Sequence, residues 1–288
     1  MGKFSKFVAK FIVFQAFFMS KNQKPIGIYD SGIGGLTVMR AVRELLPNEN
    51  IIYFGDTAHL PYGDKSTEAI QSYSIKIANF LLSQECKVIL IACNSASAAA
   101  FKLLKEYVGS KAGVLNVIDP MVSLVAEKYA GKAIGLIGTK QTVHSNVYAK
   151  KINDLGLGIT LKSLATPLLA PMIEEGYAGK NILQNVIDDY LSDEHLAGIE
   201  ALILGCTHYP LIKKQIASFY QGRVEILDSS EVVAKSLRGF LEMQNLLNKQ
   251  EKTGKSSFFV SDYTQSFESA TQLFFGEAVQ LQHYPLWE

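Results

Sequence analysis

From Ile26 onward the chain alternates short, continuous apolar runs with longer amphipathic stretches. The runs Ile26–Tyr29, Ile51–Phe54, Val88–Ala92, Val114–Ile118, Ile134–Ile137, Ile159–Leu164, Ala201–Leu204, Val224–Leu227, Phe258–Val260 and Val279–His283 predict strands. Helix-length stretches lie between most of them, as at Leu36–Leu46, Thr67–Leu82, Ala96–Val108 and Tyr209–Phe219. Continuous Val/Ile/Leu runs, rather than alternating ones, belong to strands covered on both faces, so the pattern predicts an α/β fold with largely parallel sheets. No Pro/Gly/Ser-rich linker interrupts it, and any division into domains must be made by short crossings.

The pattern also repeats. Ile26-Gly27-Ile28-Tyr29-Asp30-Ser31 is echoed by Ile134-Gly135-Leu136-Ile137-Gly138-Thr139, and Ile89-Leu90-Ile91-Ala92-Cys93-Asn94-Ser95 by Leu202-Ile203-Leu204-Gly205-Cys206-Thr207-His208. The spacing from 30 to 93 is close to that from 138 to 206. Two related α/β halves are therefore expected, each ending one strand in a cysteine. The expected division is residues 25–115 plus 229–288 as one domain and 116–228 as the other.

Residues 1–24 stand apart as an N-terminal extension. Phe7 to Met19 is almost wholly apolar, with Lys3, Lys6 and Lys10 near its start. The run is shorter than the roughly 20 residues a membrane span needs and is broken by Lys10 and Gln15, so stable membrane insertion is not expected. No small-x-small cleavage site precedes Ser20. A basic amphipathic helix at a membrane surface and an extension upstream of a start at Met19 are both open readings.

Composition narrows the function. The 288 residues carry 28 Lys+Arg against 27 Asp+Glu, a net charge of +1, which gives no basic field for a nucleic-acid backbone. Hydrophobic residues make up 48% and charged residues 19%, which excludes a disordered chain. Three cysteines exclude a disulfide framework and favour a reducing, cytoplasmic setting in which a single thiol can matter.

Three motifs carry candidate chemistry. Asp30-Ser31-Gly32-Ile33-Gly34-Gly35 links a strand to a helix, where glycines let backbone N–H groups approach an anion. Thr37 stands where a dinucleotide fingerprint needs its third glycine, and no Gly-Lys-Ser/Thr follows for a P-loop. A simple capping turn is the plain alternative. Cys93-Asn94-Ser95 sits at a strand's carboxyl end, where α/β sheets bind ligands and where a helix N-terminus favours thiolate. Cys206-Thr207-His208 repeats the placement, with His208 able to bond the thiol or bear charge beside it. No further Cys/His group completes a four-ligand set, so no metal is expected. Cys86, ahead of its strand, reads as a buried structural cysteine. Two equivalent thiols facing one ligand suit acid–base work on opposite faces of a carbon, one removing a proton while the other supplies one.

Together with Leu60-Pro61-Tyr62-Gly63 and Tyr209-Pro210-Leu211, these motifs resemble the glutamate racemase family, in order and spacing, from about Ile26 to the C-terminus. The resemblance implies a cofactor-independent amino-acid racemase of two pseudo-symmetric domains. Glutamate is the implied substrate, D-glutamate for peptidoglycan the implied product, and a homodimer the expected assembly. It implies that Cys93 takes the α-proton of D-glutamate with Asp30 assisting. Cys206 takes that of L-glutamate, with His208 and Glu174 assisting. Asp30, Ser31, Tyr62, Gly63, Asn94, Ser95, Thr207 and His208 would hold the ammonium and carboxylates, with Thr139 and Thr142 behind them. The family more often carries threonine where this chain has Ser95. Aspartate racemase is the nearest alternative, although that group typically has glutamate at the position of His208. A nucleotide-dependent oxidoreductase and a non-catalytic binding module are the alternatives of different class.

Overall fold

The computed structural model describes residues 20–288. The reading of residues 1–19 as a membrane-surface helix or upstream extension lies outside them. All ten expected strands form, with ends shifted by a few residues. In chain order they are β1 Ile26–Asp30, β2 Ile51–Gly55, β3 Val88–Ile91, β4 Gly113–Asn116, β5 Ala133–Gly138, β6 Thr160–Ala165, β7 Ala201–Gly205, β8 Glu225–Leu227, β9 Ser256–Val260 and β10 Gln282–His283. Among the described residues eleven α-helices, more than the four anticipated, connect them. They are α1 Leu36–Leu45, α2 Thr67–Ser83, α3 Asn94–Val108, α4 Ile118–Lys128, α5 Lys140–His144, α6 Val147–Asp154, α7 Leu169–Glu174, α8 Asn181–Leu191, α9 Lys213–Tyr220, α10 Ser229–Met243 and α11 Gln265–Phe275.

The strands form two sheets, and every pairing is parallel. The first has the order β10-β9-β2-β1-β3-β4 and the second β6-β5-β7-β8. The winding of β2-β1-β3-β4 is thus repeated as β6-β5-β7-β8. This equates β1 with β5 and β3 with β7, the same pairs of segments that echo each other in sequence. Inner strands are buried along their whole length, as at β1, β3 and β7, which is why they read as unbroken apolar runs. The edge strands β6, β8 and β10 keep exposed positions.

On one face of the first sheet, Tyr29, Phe54, Ile89 and Ile91 pack with residues of α2 and α3. On the other, the core of α1 and α10 continues through α4 into the second sheet. The chain passes from the first sheet to the second through α4, between β4 and β5, and returns through α10, between β8 and β9. A buried ion pair fixes the return: the Lys87 ammonium bonds Glu49 Oε2 at 2.5 Å, Asn22 O at 2.5 Å and Leu246 O at 2.9 Å. Glu49 Oε1 accepts from the Asn248 N–H at 2.7 Å. All three ammonium donors are used, the condition under which a buried charge pair is tolerated. The pair joins the segment after α10 to the strand-entry edge of the first sheet, at the opposite strand ends from Cys93 and Cys206.

Candidate active site

Parallel winding brings the carboxyl ends of β1, β3, β5 and β7 to a common region, and the motif residues leave the sheets there. They enclose a cavity of about 40 Å³, space for roughly three waters. Ser31, Tyr62, Gly63, Cys93, Asn94, Ser95, Thr139, Glu174, Cys206, Thr207 and His208 all line it. Asp30 and Thr142 do not: both are buried one layer behind the wall. Leu60, Pro61, Ala170, Pro171 and Gly205 complete the lining. Their apolar side chains, or lack of one, gave no chemical signal in the sequence. No lysine or arginine among the described residues lines the cavity, so an anionic ligand would be held by neutral donors and by His208.

Cys93 caps the N-terminus of α3. Its Sγ accepts from the Ala96 N–H at 3.4 Å and lies 3.7 Å from Ser31 Oγ. The sequence favoured a thiolate here because of the helix N-terminus. The structure reverses that expectation. Burial, followed by the nearby charge of Asp30, pushes the Cys93 thiol up to about 12, and the Ala96 N–H and Ser31 offset only part of this. Asp30 is itself raised from its ordinary value by burial, against the pull of His208 and the Gly32 and Gly35 N–H groups. Its Oδ2 accepts from the Gly32 N–H at 3.0 Å, and its Oδ1 from Thr207 Oγ1 at 3.4 Å.

Cys206 follows β7, and its Sγ lies 3.6 Å from His208 Nδ1. His208 Nε2 lies 2.7 Å from Glu174 Oε1, at the end of α7. Burial works against a charged imidazole. The Cys206 and Glu174 charges overcome it and hold His208 well above its ordinary value. The Phe274 ring meets the imidazole edge-on at 5.1 Å. Glu174 is therefore no solvated helix-end carboxylate; it is tied to the ring beside the second thiol.

The glycine turn has a purpose its sequence did not disclose. None of Gly32, Gly34 and Gly35 has positive φ, so left-handed backbone is not the reason for them. A Cβ on Gly34 would lie 2.4 Å from His208 Cε1, and one on Gly35 would lie 2.6 Å from Asp30 Cβ. Gly34 thus lets the first sheet's turn touch the second sheet's histidine, and Gly35 lets it fold over its own aspartate. Further bonds cross between the sheets. Ser95 Oγ lies 2.8 Å from Thr139 Oγ1 and 3.4 Å from Thr142 Oγ1, and Thr37 Oγ1 donates to Thr207 O at 3.0 Å. Ser95 keeps the hydroxyl that this network needs. The Tyr62 hydroxyl donates to Asp56 Oδ2 at 2.5 Å, so Tyr62 offers the cavity its ring.

Asp56 was not anticipated. Fully buried, it also accepts from Ser261 Oγ at 2.7 Å and Trp287 Nε1 at 2.8 Å, a convergence of residues remote in the chain. Tyr148 was missed as well; its hydroxyl donates to Asn94 Oδ1 at 2.9 Å.

Comparison with known proteins identifies the relatives of this chain. Residues 33–237 match the family model Asp/Glu/Hydantoin racemase. The chain is 38% identical to the glutamate racemase of Geobacter metallireducens over 253 residues, which is 88% of this chain and 93% of that protein. It is similar to the crystal structure of glutamate racemase from Francisella tularensis in complex with D-glutamate. The TM-score is 0.86 and the identity 41%, over 92% of this chain and 99% of that one. Likeness to the Picrophilus torridus aspartate racemase is at 20% identity and a TM-score of 0.53, which is a likeness of fold alone.

Proposed function

The chain belongs to the Asp/Glu/Hydantoin racemase family, and we propose that it interconverts L- and D-glutamate by passing the α-proton between two cysteines. The observation that carries this reading is that Cys93 and Cys206, at equivalent strand ends of two like-wound sheets, line one cavity.

The α-hydrogen of an amino acid is a very weak acid, so the site must supply both a base and charge stabilisation. For L-glutamate, the Cys206 thiolate beside the His208 imidazolium takes the proton. The electron pair left on carbon is drawn into the adjacent carboxylate. The Cys93 thiol then delivers its proton to the opposite face, and the product is D-glutamate. In reverse, the Cys93 thiolate left by that step takes the α-proton of D-glutamate with Asp30 assisting, and the Cys206 thiol protonated in that step delivers its proton to the opposite face, which restores the starting state. Ser31, Asn94, Ser95 and Thr207 provide neutral donors for the carboxylates, in surroundings dry enough for such donors to count most. A cavity of about 40 Å³ admits an amino acid only when its walls part. The division into 25–115 with 229–288 against 116–228 is proposed as the line of opening, supported by β1–β4 with β9 and β10 falling in one sheet and β5–β8 in the other.

Supply of D-glutamate for peptidoglycan, a homodimer and a cytoplasmic location are proposed on the family resemblance. No helix among the described residues is long and apolar enough to cross a membrane.

The test is racemisation of L-glutamate by the purified protein in D₂O with no cofactor added. The first D-glutamate formed is expected to carry deuterium at the α-carbon while unreacted L-glutamate keeps its hydrogen, because the two faces are served by different thiols. Deuterium appearing equally early in both pools would indicate a single base and overturn the reading. Action on aspartate in place of glutamate would move the assignment to the aspartate branch.

A further inference from the structure

We infer that Tyr148 is a positioning residue for substrate: through its bond to Asn94 it turns the NH₂ end of that amide toward the cavity, where it meets a glutamate carboxylate. The inference rests on the proposed glutamate racemisation and names a residue that neither the sequence motifs nor the proposed proton transfer includes.

Asn94 directly follows Cys93, is 2% exposed and lines the cavity. Its Oδ1 accepts from the Tyr148 hydroxyl at 2.9 Å, whereas its buried Nδ2 has no hydrogen-bond partner among the described residues. A buried amide donor left unpaired costs about 1–3 kcal/mol, and native proteins rarely keep one without a use. At a cavity wall the use is a ligand acceptor.

The two ends of an asparagine amide have nearly the same shape, so hydrogen bonding decides which way it faces. Tyr148, on α6 of the second sheet, is 1% exposed, and burial together with the charge of Asp119 pushes its phenol further up from an already high value. Its O–H therefore stays a donor over the working pH range and must find an acceptor, and Asn94 Oδ1 is the one within reach. With the carbonyl engaged, the NH₂ is left for the cavity. The reverse flip would aim an acceptor lone pair at an anionic carboxylate. Tyr148 reaches Asn94 from the other sheet, so this orientation is set only when the cavity walls are together.

The experiment is a double-mutant cycle of Tyr148→Phe and Asn94→Ala, with KM, kcat and D-glutamate binding measured in both racemisation directions. Tyr148→Phe keeps the ring and removes the hydroxyl. Expected is a rise of about tenfold in KM and in the D-glutamate dissociation constant, with a smaller change in kcat, as befits loss of a donor to a charged group. In the Asn94→Ala background the same substitution is expected to add little, because there is no amide left to orient. An unchanged KM in Tyr148→Phe overturns the inference. So does an undiminished effect on the Asn94→Ala background, which would mark Tyr148 as a packing residue only. A thermal melt of each variant separates loss of fold from loss of orientation. The wild-type arm keeps the two readings distinct. If the wild type does not racemise glutamate, the function falls and this inference with it; if it does, the cycle decides Tyr148 alone.

Discussion

Cys93 and Cys206 occupy equivalent ends of equivalent strands, yet the groups around them carry opposite charge. Beside Cys93 stands a buried carboxylate, Asp30, and the thiol is pushed up to about 12. Beside Cys206 stands His208, held well above its ordinary value by the charges of Cys206 and Glu174. Repetition of an α/β unit accounts for two cysteines facing one cavity, and divergence of their neighbours sets a carboxylate beside one and an imidazole held toward its charged form beside the other. In the proposed mechanism L-glutamate meets Cys206 as the thiolate and Cys93 as the thiol. The D-ready state has the protons exchanged, with Cys93 as the thiolate and Cys206 as the thiol. The two enantiomers have the same free energy in water, so kcat/KM must be equal in the two directions at every pH. The asymmetry of the site can therefore appear only in how kcat and KM share that value.

The largest effect expected is from Cys93→Ser and Cys206→Ser, each lowering kcat/KM by about 10³-fold in both directions, since a poorly acidic hydroxyl cannot replace either acid–base group. Both variants should keep their fold, because serine fits the same space; circular dichroism and a thermal melt check this. Near-normal turnover in either variant breaks the comparison at its root.

Next come the two glycines, which test each side separately. Gly34→Ala drives a methyl into the His208 ring and Thr207, whereas Gly35→Ala drives one into Asp30. Displacements of this size at a catalytic group cost about 10²-fold in turnover. Gly34→Ala is expected to disturb His208 and leave alkylation of Cys93 as a function of pH unchanged. Gly35→Ala is expected to alter that alkylation profile. If both variants give the same profile, the two sides are not independent.

How much of this was legible in sequence depends on the range of the interaction. The inner strands could be read because burial on both faces writes an unbroken apolar run at each one, while the edge strands β6, β8 and β10, which keep exposed positions, were read from the shorter apolar runs beside them. The echo of Asp30 at Gly138 and of Cys93 at Cys206 disclosed the repeated winding before any sheet was seen. Seven helices were not anticipated: α5, α6 and α7 have too few turns to establish a period, whereas α4, α8, α10 and α11 run 11 to 15 residues and were missed although long enough to show one. The roles of Gly34, Tyr148 and Asp56 were out of reach, because each is defined by a partner far along the chain: His208, Asn94 and Trp287. The ionisation of Cys93 was misjudged for the same reason. A helix N-terminus is a local feature and visible in sequence, whereas burial and the approach of Asp30 belong to the assembled fold and outweigh it.

The smallest and most discriminating effects are shifts in pH dependence when each side's carboxylate is neutralised. After burial, Asp30 is the largest contributor to the high value of Cys93, by repulsion of a second negative charge. Asp30→Asn removes that repulsion, so Cys93 should ionise at lower pH than the wild type's value of about 12. Alkylation of Cys93 by iodoacetamide, followed by peptide mass spectrometry, should then begin at lower pH even as racemisation falls. Glu174 acts with the opposite consequence, because its charge favours the protonated ring of His208. Glu174→Gln should lower His208, and the imidazolium beside Cys206 is then lost sooner as pH rises. The alkaline limb of kcat should move toward neutrality, while Cys93 alkylation stays where it was. One substitution makes a thiolate easier to form and the other withdraws a thiolate's counter-ion. A shift of Cys93 in Glu174→Gln, or none in Asp30→Asn, would mean that the two thiols share a single electrostatic environment rather than two opposed ones.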